Sequence, residues 1–268
     1  MNQILNFFSG IGSPVLNTYR YMLDIWSLFQ KTLYWLFVGP FKKKFPKPKS
    51  IFEQMVFSGI QSIAIVFFVA LFTGIVIAMQ SAYQLAQLGA TIYVAAMVSV
   101  GMARELGPVL TSLVVAGRVG AAITAELGSM KVTEQIEAME TMALNPVRFL
   151  VVPRFVALIV MLPCLTVFSD IIGIVGGFLV GVYNIGLNPY RYIDVSFDFM
   201  VWKDVWTGLV KSFVFGIIIS MIGCYMGLNT RGGAEGVGRA TTVSVVTSFI
   251  LIILFDCFLT GIFYFSNM

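Results

Sequence analysis

The chain has 268 residues, of which 58% are hydrophobic and 11% charged, and its formal net charge is +4. Soluble domains carry about 25% charged residues, so this composition excludes a soluble globular protein and indicates an integral membrane protein. The chain contains no histidine and no P-loop pattern, which excludes histidine-ligated metals, Ser/His catalysis, haem ligation and ATP binding through a P-loop; no cofactor is predicted.

Residues 1–50 form the first of two predicted regions. Over residues 15–33, apolar side chains recur at helical spacing with charged side chains between them. This pattern is typical of an amphipathic helix in the membrane interface, with Trp26 at headgroup depth. A short span over residues 25–41 is the alternative. A basic linker, residues 41–49, ends the region, and its five lysines favour a cytoplasmic, anionic leaflet.

The second region, residues 51–268, is predicted to cross the membrane as α-helices. Unpaired backbone groups are not tolerated in lipid, so only helices and closed barrels span it. Barrel strands read as alternating segments of about ten residues, whereas residues 62–79 form one uncharged run long enough to span. The predicted fold is an all-α integral membrane protein with an N-terminal interfacial helix and five spans. The spans are predicted at about 57–80, 92–122, 155–183, 206–228 and 243–265.

The distribution of Lys and Arg predicts the orientation of these spans. Seven basic residues lie in residues 1–50, three in the loop 126–154 and two in the loop 229–242. The loop 81–91 has none, and in the loop 184–205 acidic residues outnumber the basic ones. The positive-inside rule therefore places the N-terminus and the loop 126–154 in the cytoplasm, and the C-terminus on the other side.

Two charged residues, Arg104 and Glu105, are adjacent inside the second span. A charge within a span costs about 3 kcal/mol and by default marks a functional site. Because adjacent residues on a helix do not face each other, Arg104 suits a phosphate and Glu105 suits a basic group of another helix or subunit. An outward-facing interfacial ion pair is the alternative. Pro108 predicts a kink, since it cannot donate to the carbonyl of Arg104.

Other polar residues within the spans are interpreted as structural. Asp170 and Asp256 lie near the middle of spans three and five without an evident basic partner; hydrogen bonding between helices is favoured over a proton or ion path. Arg118, among small residues that permit close helix packing, is expected to extend toward the cytoplasmic interface. The cysteines lack ligand spacing, so they are expected to be small buried hydrophobic residues and no metal site is predicted. They are Cys164, Cys224 and Cys257.

An amphipathic segment, residues 126–142, separates spans two and three on the predicted cytoplasmic side. As a helix it would present Glu134, Glu137 and Glu140 on one face and apolar residues on another, with Thr133 as its N-cap. A helix of two or three turns is marginal alone and needs a docking surface. Its acidic residues disfavour the anionic leaflet, so a cytoplasmic protein partner is predicted.

At these residues the chain resembles the MlaE/YrbE family, the ABC transporter permeases associated with MCE-domain proteins. About 50 residues match closely, and the layout of the spans extends the resemblance over residues 50–265. The matching stretches are Ala103-Arg-Glu-Leu-Gly-Pro-Val-Leu-Thr, Ala116-Gly-Arg-Val-Gly-Ala-Ala, Ala125-Glu-Leu-Gly-Ser-Met, Glu134-Gln-Ile-Glu-Ala-Met, Leu144-Asn-Pro and Val152-Pro-Arg.

The resemblance implies a homodimeric permease domain over residues 51–268 that moves phospholipid between the bacterial inner membrane and a periplasmic MCE carrier of the MlaD type, maintaining outer-membrane lipid asymmetry. It implies a non-enzymatic subunit, with ATP hydrolysis on a separate cytoplasmic ATPase of the MlaF type and no nucleic-acid partner. Another hydrophobic cargo, such as a sterol-like lipid, is the alternative. A membrane-embedded lipid enzyme is disfavoured, because no cluster of nucleophile, base or metal ligands occurs. Transport direction and head-group preference stay open.

The resemblance also implies roles for particular residues. The segment 126–142 would be a coupling helix seated in the ATPase. A lipid cavity would open at the dimer axis between spans one, two and five, with Arg104 and Glu105 beside it. The candidate coupling residues are Glu126, Lys131, Glu134, Gln135, Glu137 and Met139. The candidate wall residues on span one are Gly74, Val76, Ile77 and Tyr83.

Overall fold

A computed structural model describes residues 2–41 and 48–265, with side chains over 20–39 and 48–264. The described residues form helices and short connections, without strands. Five helices are long and apolar enough to cross a membrane, so the predicted all-α membrane fold is confirmed. These spans are Pro48–Ala86, Thr91–Val132, Val147–Tyr183, Trp202–Leu228 and Gly233–Tyr264.

The first helix, α1 (Asn2–Phe41), has 40 residues and crosses one end of the fourth span. The Tyr21 hydroxyl donates to the Met226 sulfur over 2.9 Å. The Tyr21 ring also meets the Tyr225 ring edge-on, with 4.8 Å between the ring centroids. These contacts hold α1 against the body of the protein.

The two faces of α1 differ in polarity and in the part of the fourth span they meet. One face, which includes Trp26, lines an apolar groove with mid-span residues such as Met221. The opposite face, which includes Lys31, lines a polar groove with the end of the span at Asn229. The location of helix α1 in the membrane interface stays a prediction. Most of the predicted basic linker, residues 42–47, lies outside the described residues.

The first span consists of α2 (Pro48–Ser58), a 3₁₀ turn (Ile60–Ser62) and α3 (Ile63–Ala86). It packs along the third span, where Gly74 meets the backbone of Gly173. A Cβ at Gly74 would lie 1.9 Å from the Gly173 carbonyl oxygen. The missing side chain therefore permits this close approach, as expected of small residues between membrane helices.

The second span is interrupted by two π-helical turns, at Met102–Leu106 and Ala116–Gly120. They separate three α-helical segments. Pro108, which has no N–H to donate, lies just after the first π turn, so the helix is interrupted where the kink was predicted; the kink itself stays a prediction. The three segments are α4 (Val94–Gly101), α5 (Gly107–Val115) and α6 (Ala121–Val132).

The predicted end of the second span near residue 122 was wrong by about ten residues. Helix α6 continues to Val132 because Ile123 and Leu127, although they lie beyond the apolar run, are buried in the core. Consequently Glu126 and Lys131 belong to the end of span two. The separate short helix, α7, comprises only Gln135–Thr141.

The remaining helices complete the bundle around the fourth span. The fourth span is the most buried. Within its most apolar stretch 56% of the residues are buried, against 11% in that of the fifth span. The fifth span therefore lies at the edge of a single chain, with an apolar surface facing outward. The helices are α8 (Val152–Tyr183), α9 (Pro189–Phe199), α10 (Trp202–Leu228) and α11 (Gly233–Thr260).

Candidate functional site

Arg104 and Glu105 lie in the first π turn of span two and point to different partners. The Arg104 Nε donates to Asp204 Oδ1 over 2.6 Å, and the guanidinium carbon lies 4.9 Å from the centre of the Tyr264 ring. Glu105 instead meets Lys211 of α10. The expectation that Glu105 pairs with a basic group of another helix is confirmed.

Lys211 is the centre of a charge cluster that joins spans two, four and five. Its side chain is fully buried, and its Nζ lies 2.5 Å from Glu105 Oε2 and 2.9 Å from Asp256 Oδ1. The ammonium also donates to Thr260 Oγ1 over 2.7 Å. Asp256 thus has a basic partner, and the expectation that it has none was wrong.

Lys211 also completes the hydrogen bonding of the interrupted helix. Its Nζ donates to the carbonyl oxygen of Arg104 over 3.2 Å. This is the carbonyl that Pro108, lacking an N–H, leaves without its usual partner. A single buried ammonium therefore satisfies both the side chain of Glu105 and the backbone of the π turn.

Asp204 is the second residue that sequence reasoning missed, because it was assigned to the loop before span four. It lies in the first turn of α10 with a side chain only 1% exposed, and its Oδ2 accepts the Val201 N–H over 3.2 Å. The signal that could have found it is an acidic residue in the first turn of a helix, where it caps free N–H groups.

The close approach of α10 to the π turn depends on Gly208. A Cβ at this position would lie 2.3 Å from the carbonyl oxygen of Ala103. Because Gly208 lies between Asp204 and Lys211 along α10, its missing side chain lets both charged residues reach their partners on span two.

A cavity of 460 Å³ opens beside Arg104, whose side chain is 38% exposed. Its walls are otherwise apolar or aromatic, and they come from span two and α9. The candidate wall residues of span one do not line it. The lining residues are Tyr93, Ala96, Met97, Val100, Gly101, Arg104 and Phe199.

The candidate wall residues lie instead along α3. Val76 and Tyr83 are exposed, at 58% and 74%, and Ile77 is half-buried. Gly74 is buried against Gly173, so its observed role is helix packing. The exposed pair faces outward from a single chain.

The helix α7 is anchored to the protein by two contacts. Ile136 is buried, and Glu137 forms an ion pair with Lys131. The Lys131 ammonium holds the pKa of the Glu137 carboxyl below its usual value, chiefly through this hydrogen bond. Thr133 does not cap the helix as expected, because its hydroxyl donates to the Ser129 carbonyl over 2.9 Å. The residue that precedes the helix is instead Glu134, in a left-handed conformation with φ of 59°.

The outer side of this segment carries exposed acidic and apolar groups. Glu134, Gln135 and Glu140 are exposed, while Met139 is half-buried. Met142, just after the helix, is 63% exposed. The segment therefore presents a mixed acidic and apolar surface.

Glu126, near the end of span two, forms an ion pair with Arg154, near the start of span three. The Arg154 Nη2 lies 2.8 Å from Glu126 Oε1, with the arginine side chain 4% exposed and the glutamate 53%. The Arg154 Nη1 also donates to the Leu150 carbonyl over 2.6 Å. Glu126 is thus engaged within the chain, which the sequence did not reveal.

Two structural expectations do not hold. Asp170 was expected to hydrogen-bond between helices, but its buried Oδ1 has no partner among the described residues and packs on Gly107.

Cys224 is buried as expected, whereas Cys164 and Cys257 are exposed on the outer surface of their spans. Within the described ranges, no cluster of three or more metal-ligating side chains occurs.

Comparison with known proteins decides the family. A profile of the family described as Permease MlaE matches residues 51–262. The chain belongs to the MlaE permease family. The residue stretches that suggested this resemblance fall within the matched range, and the chain is accordingly an ABC transporter permease of the MlaE family.

Individual relatives of this MlaE-family permease extend the match. A probable ABC transporter permease protein of Rickettsia typhi is 45% identical over 210 residues, covering 78% of this chain and 81% of the relative. The intermembrane phospholipid transport system permease protein MlaE of Haemophilus influenzae is 34% identical over 262 residues, covering 97% and 98%. A Synechocystis permease is 42% identical over 212 residues, covering 79% and 81%. The Haemophilus match includes the N-terminal region, for which the sequence pattern alone had no counterpart.

Proposed function

We propose that this chain is the membrane subunit that moves phospholipids between the bacterial inner membrane and a periplasmic MCE carrier. The observation that carries the proposal is the match to the Haemophilus phospholipid permease over 97% of this chain and 98% of that protein. So complete a match, at 34% identity, favours a shared cargo class and a shared contribution to outer-membrane lipid asymmetry.

The proposed cargo site is the region around Arg104 and Glu105. The cavity beside Arg104 combines apolar walls with one exposed guanidinium, which suits a molecule with acyl chains and an anionic headgroup. Glu105 holds the site together through Lys211. Val76, Ile77 and Tyr83 are proposed as the part of the wall contributed by span one; Gly74 is omitted because it is buried in helix packing.

The proposed assembly is a homodimer. The outward face of span five is apolar from Val243 to Phe258, and exposed residues of span one form a similar surface. A second copy would cover these faces and enclose a lipid cavity between spans one, two and five. The exposed apolar residues of span five include Val246, Ile250, Ile253, Leu254 and Phe258.

The proposed energy source is a separate cytoplasmic ATPase that receives α7. The exposed Glu134, Gln135 and Glu140 with Met142 offer it an acidic and apolar surface. Glu126 and Lys131, predicted as direct coupling contacts, are proposed instead to fix the segment through their pairs with Arg154 and Glu137. Movement of α7 would then be transmitted along α6 to the π turns.

The proposed topology places the N-terminus and α7 in the cytoplasm and the C-terminus in the periplasm, as the positive-inside rule predicts. In this arrangement residues 1–50 form an interfacial region, with the Trp26 face of α1 toward the bilayer and the Lys31 face toward the cytoplasm. Residues 51–268 form the permease domain.

Purification of the tagged chain from its native membranes tests this function. Proteins and lipids that co-purify would be identified by mass spectrometry. We expect a P-loop ATPase, an MCE-domain protein and phospholipids enriched over the bulk membrane. Enrichment of a sterol-like or other hydrophobic compound instead would favour the alternative cargo, and absence of both proteins would contradict the proposed assembly.

A further inference from the structure

Arg118, in the second π turn of span two, is held in place by three neutral acceptors on span one. Its Nη1 donates to the Phe57 carbonyl oxygen over 3.2 Å and to Ser62 Oγ over 2.7 Å. Its Nη2 donates to Gln61 Oε1 over 3.1 Å. The Arg118 side chain is therefore fixed to the break between α2 and α3. The sequence had suggested instead that it extends freely toward the cytoplasmic interface.

None of these acceptors carries a charge. Among the described residues, Arg104, Arg154 and Lys211 each form an ion pair with a carboxylate, whereas Arg118 forms none. A cation inside a span that lacks a counter-ion is costly, and such residues mark sites of function by default. Arg104 shares its charge with Asp204 while its exposed part faces the cavity; Arg118 has no carboxylate partner among the described residues, so its whole charge is left for a ligand.

The surroundings of Arg118 suit a lipid of the cytoplasmic leaflet. It lies 14 residues after Arg104, about 21 Å further along the helix toward the proposed cytoplasmic side. Its contacts come from span one, and the adjacent Gly117, which is exposed, faces Phe249 of span five. Arg118 thus contacts span one while its neighbour Gly117 meets span five, the two spans proposed to flank the lipid cavity, and Gln61 beside Arg118 is exposed.

We propose that Arg118 binds the phosphate of a membrane phospholipid in the cytoplasmic leaflet, as a second headgroup site on the transport path distinct from Arg104. The planar guanidinium matches phosphate oxygens, and its three neutral hydrogen bonds hold it in position without cancelling its charge. The inference rests on the proposed phospholipid function and deepens it by adding a site for the lipid at the opposite leaflet.

Binding measurements on the complete complex in nanodiscs test this site. The ligands are a fluorescent phosphatidylglycerol and a diacylglycerol with the same acyl chains but no phosphate. We expect Arg118→Gln to weaken phosphatidylglycerol binding about tenfold or more, the value of a charge-assisted hydrogen-bonded contact, while diacylglycerol binding stays unchanged. The exposed Arg239→Gln variant, with the same loss of charge on the proposed cytoplasmic side, should bind both lipids as the native complex does.

Each other outcome overturns the inference in a recognisable way. Equal weakening of both lipids by Arg118→Gln would mean that the arginine only holds spans one and two together. Unchanged phosphatidylglycerol binding would mean that it does not meet the phosphate. Displacement of the lipid by an excess of inorganic phosphate would assign the site to a soluble anion. Failure of the native complex to bind phosphatidylglycerol would contradict the proposed function itself.

Discussion

Lys211 Nζ and Glu105 Oε2 lie 2.5 Å apart across 106 positions of the chain, and this contact joins span four to the interrupted turn of span two. The same ammonium reaches Asp256 of span five. Three spans therefore meet at one buried cation. Since two of the three are proposed to flank the cargo path, rearrangement of this cluster offers a direct way to link helix movement to cargo.

Lys211→Met is expected to destabilise the protein by about 3 kcal/mol, because it leaves Glu105 and Asp256 facing each other without a cation. Adding Glu105→Gln and Asp256→Asn should recover most of this loss, since no uncompensated charge remains. Thermal unfolding in nanodiscs measures both effects. Lys203→Met, at an exposed position in the first turn of the same helix, is the control. Equal stability of the two single lysine variants would contradict the role given to Lys211.

The Glu126–Arg154 pair is expected to respond asymmetrically to substitution. Glu126→Ala leaves a buried arginine without its anion and should cost about 3 kcal/mol. Arg154→Met removes the buried charge and leaves a half-exposed glutamate in contact with water, so it should cost less. Unfolding free energies of the two single variants and the double variant, measured as a double-mutant cycle, check this order. The reverse order would show that Arg154 acts chiefly through packing.

The exposed face of the α7 segment is expected to hold the ATPase. Reversing the two exposed acids, in Glu134→Lys/Glu140→Lys, should release the ATPase on co-purification while the permease stays folded. Glu53→Lys, a single reversal at an exposed acid on α2, is the control for a charge change away from α7 and should retain it. An intact complex with the double reversal would exclude this face as the docking site.

Gly208→Ala is expected to separate α10 from span two, because its Cβ would lie 2.3 Å from the Ala103 carbonyl oxygen, a rigid backbone atom. We expect lower thermal stability. Gly238→Ala, in the interior of α11, meets no atom within 4 Å and should instead stabilise its helix by about 0.5–1 kcal/mol. If both variants shifted the unfolding temperature in the same direction, the close approach at Gly208 would not be limiting.

Most of the fold could be predicted because the five spans are continuous apolar runs, which single-sequence hydropathy detects without tertiary information. Their ends were less accessible. Helix α6 runs on to Val132 through residues whose burial depends on helices elsewhere in the chain. The seven-residue α7 likewise follows a left-handed Glu134, a conformation that no capping pattern in the sequence predicts.

The site was predicted in part. Arg104 and Glu105 were identified because charges within a span are rare, and the same reasoning applied to Lys211 would have found the partner of Glu105. What the sequence does not contain is the rotation of span four, which alone brings Asp204 and Lys211 to span two. Single-sequence patterns report which residues share a helix face, but not which face meets which neighbour.

The central claim is that this permease moves phospholipid with energy from another chain. The most direct measurement reconstitutes it in liposomes with the co-purifying ATPase and MCE-domain protein and follows transfer of a labelled phospholipid between membrane and carrier. We expect transfer that requires ATP and stops when either partner is omitted. An assembled complex that hydrolyses ATP but transfers no phospholipid in either direction would contradict the claim.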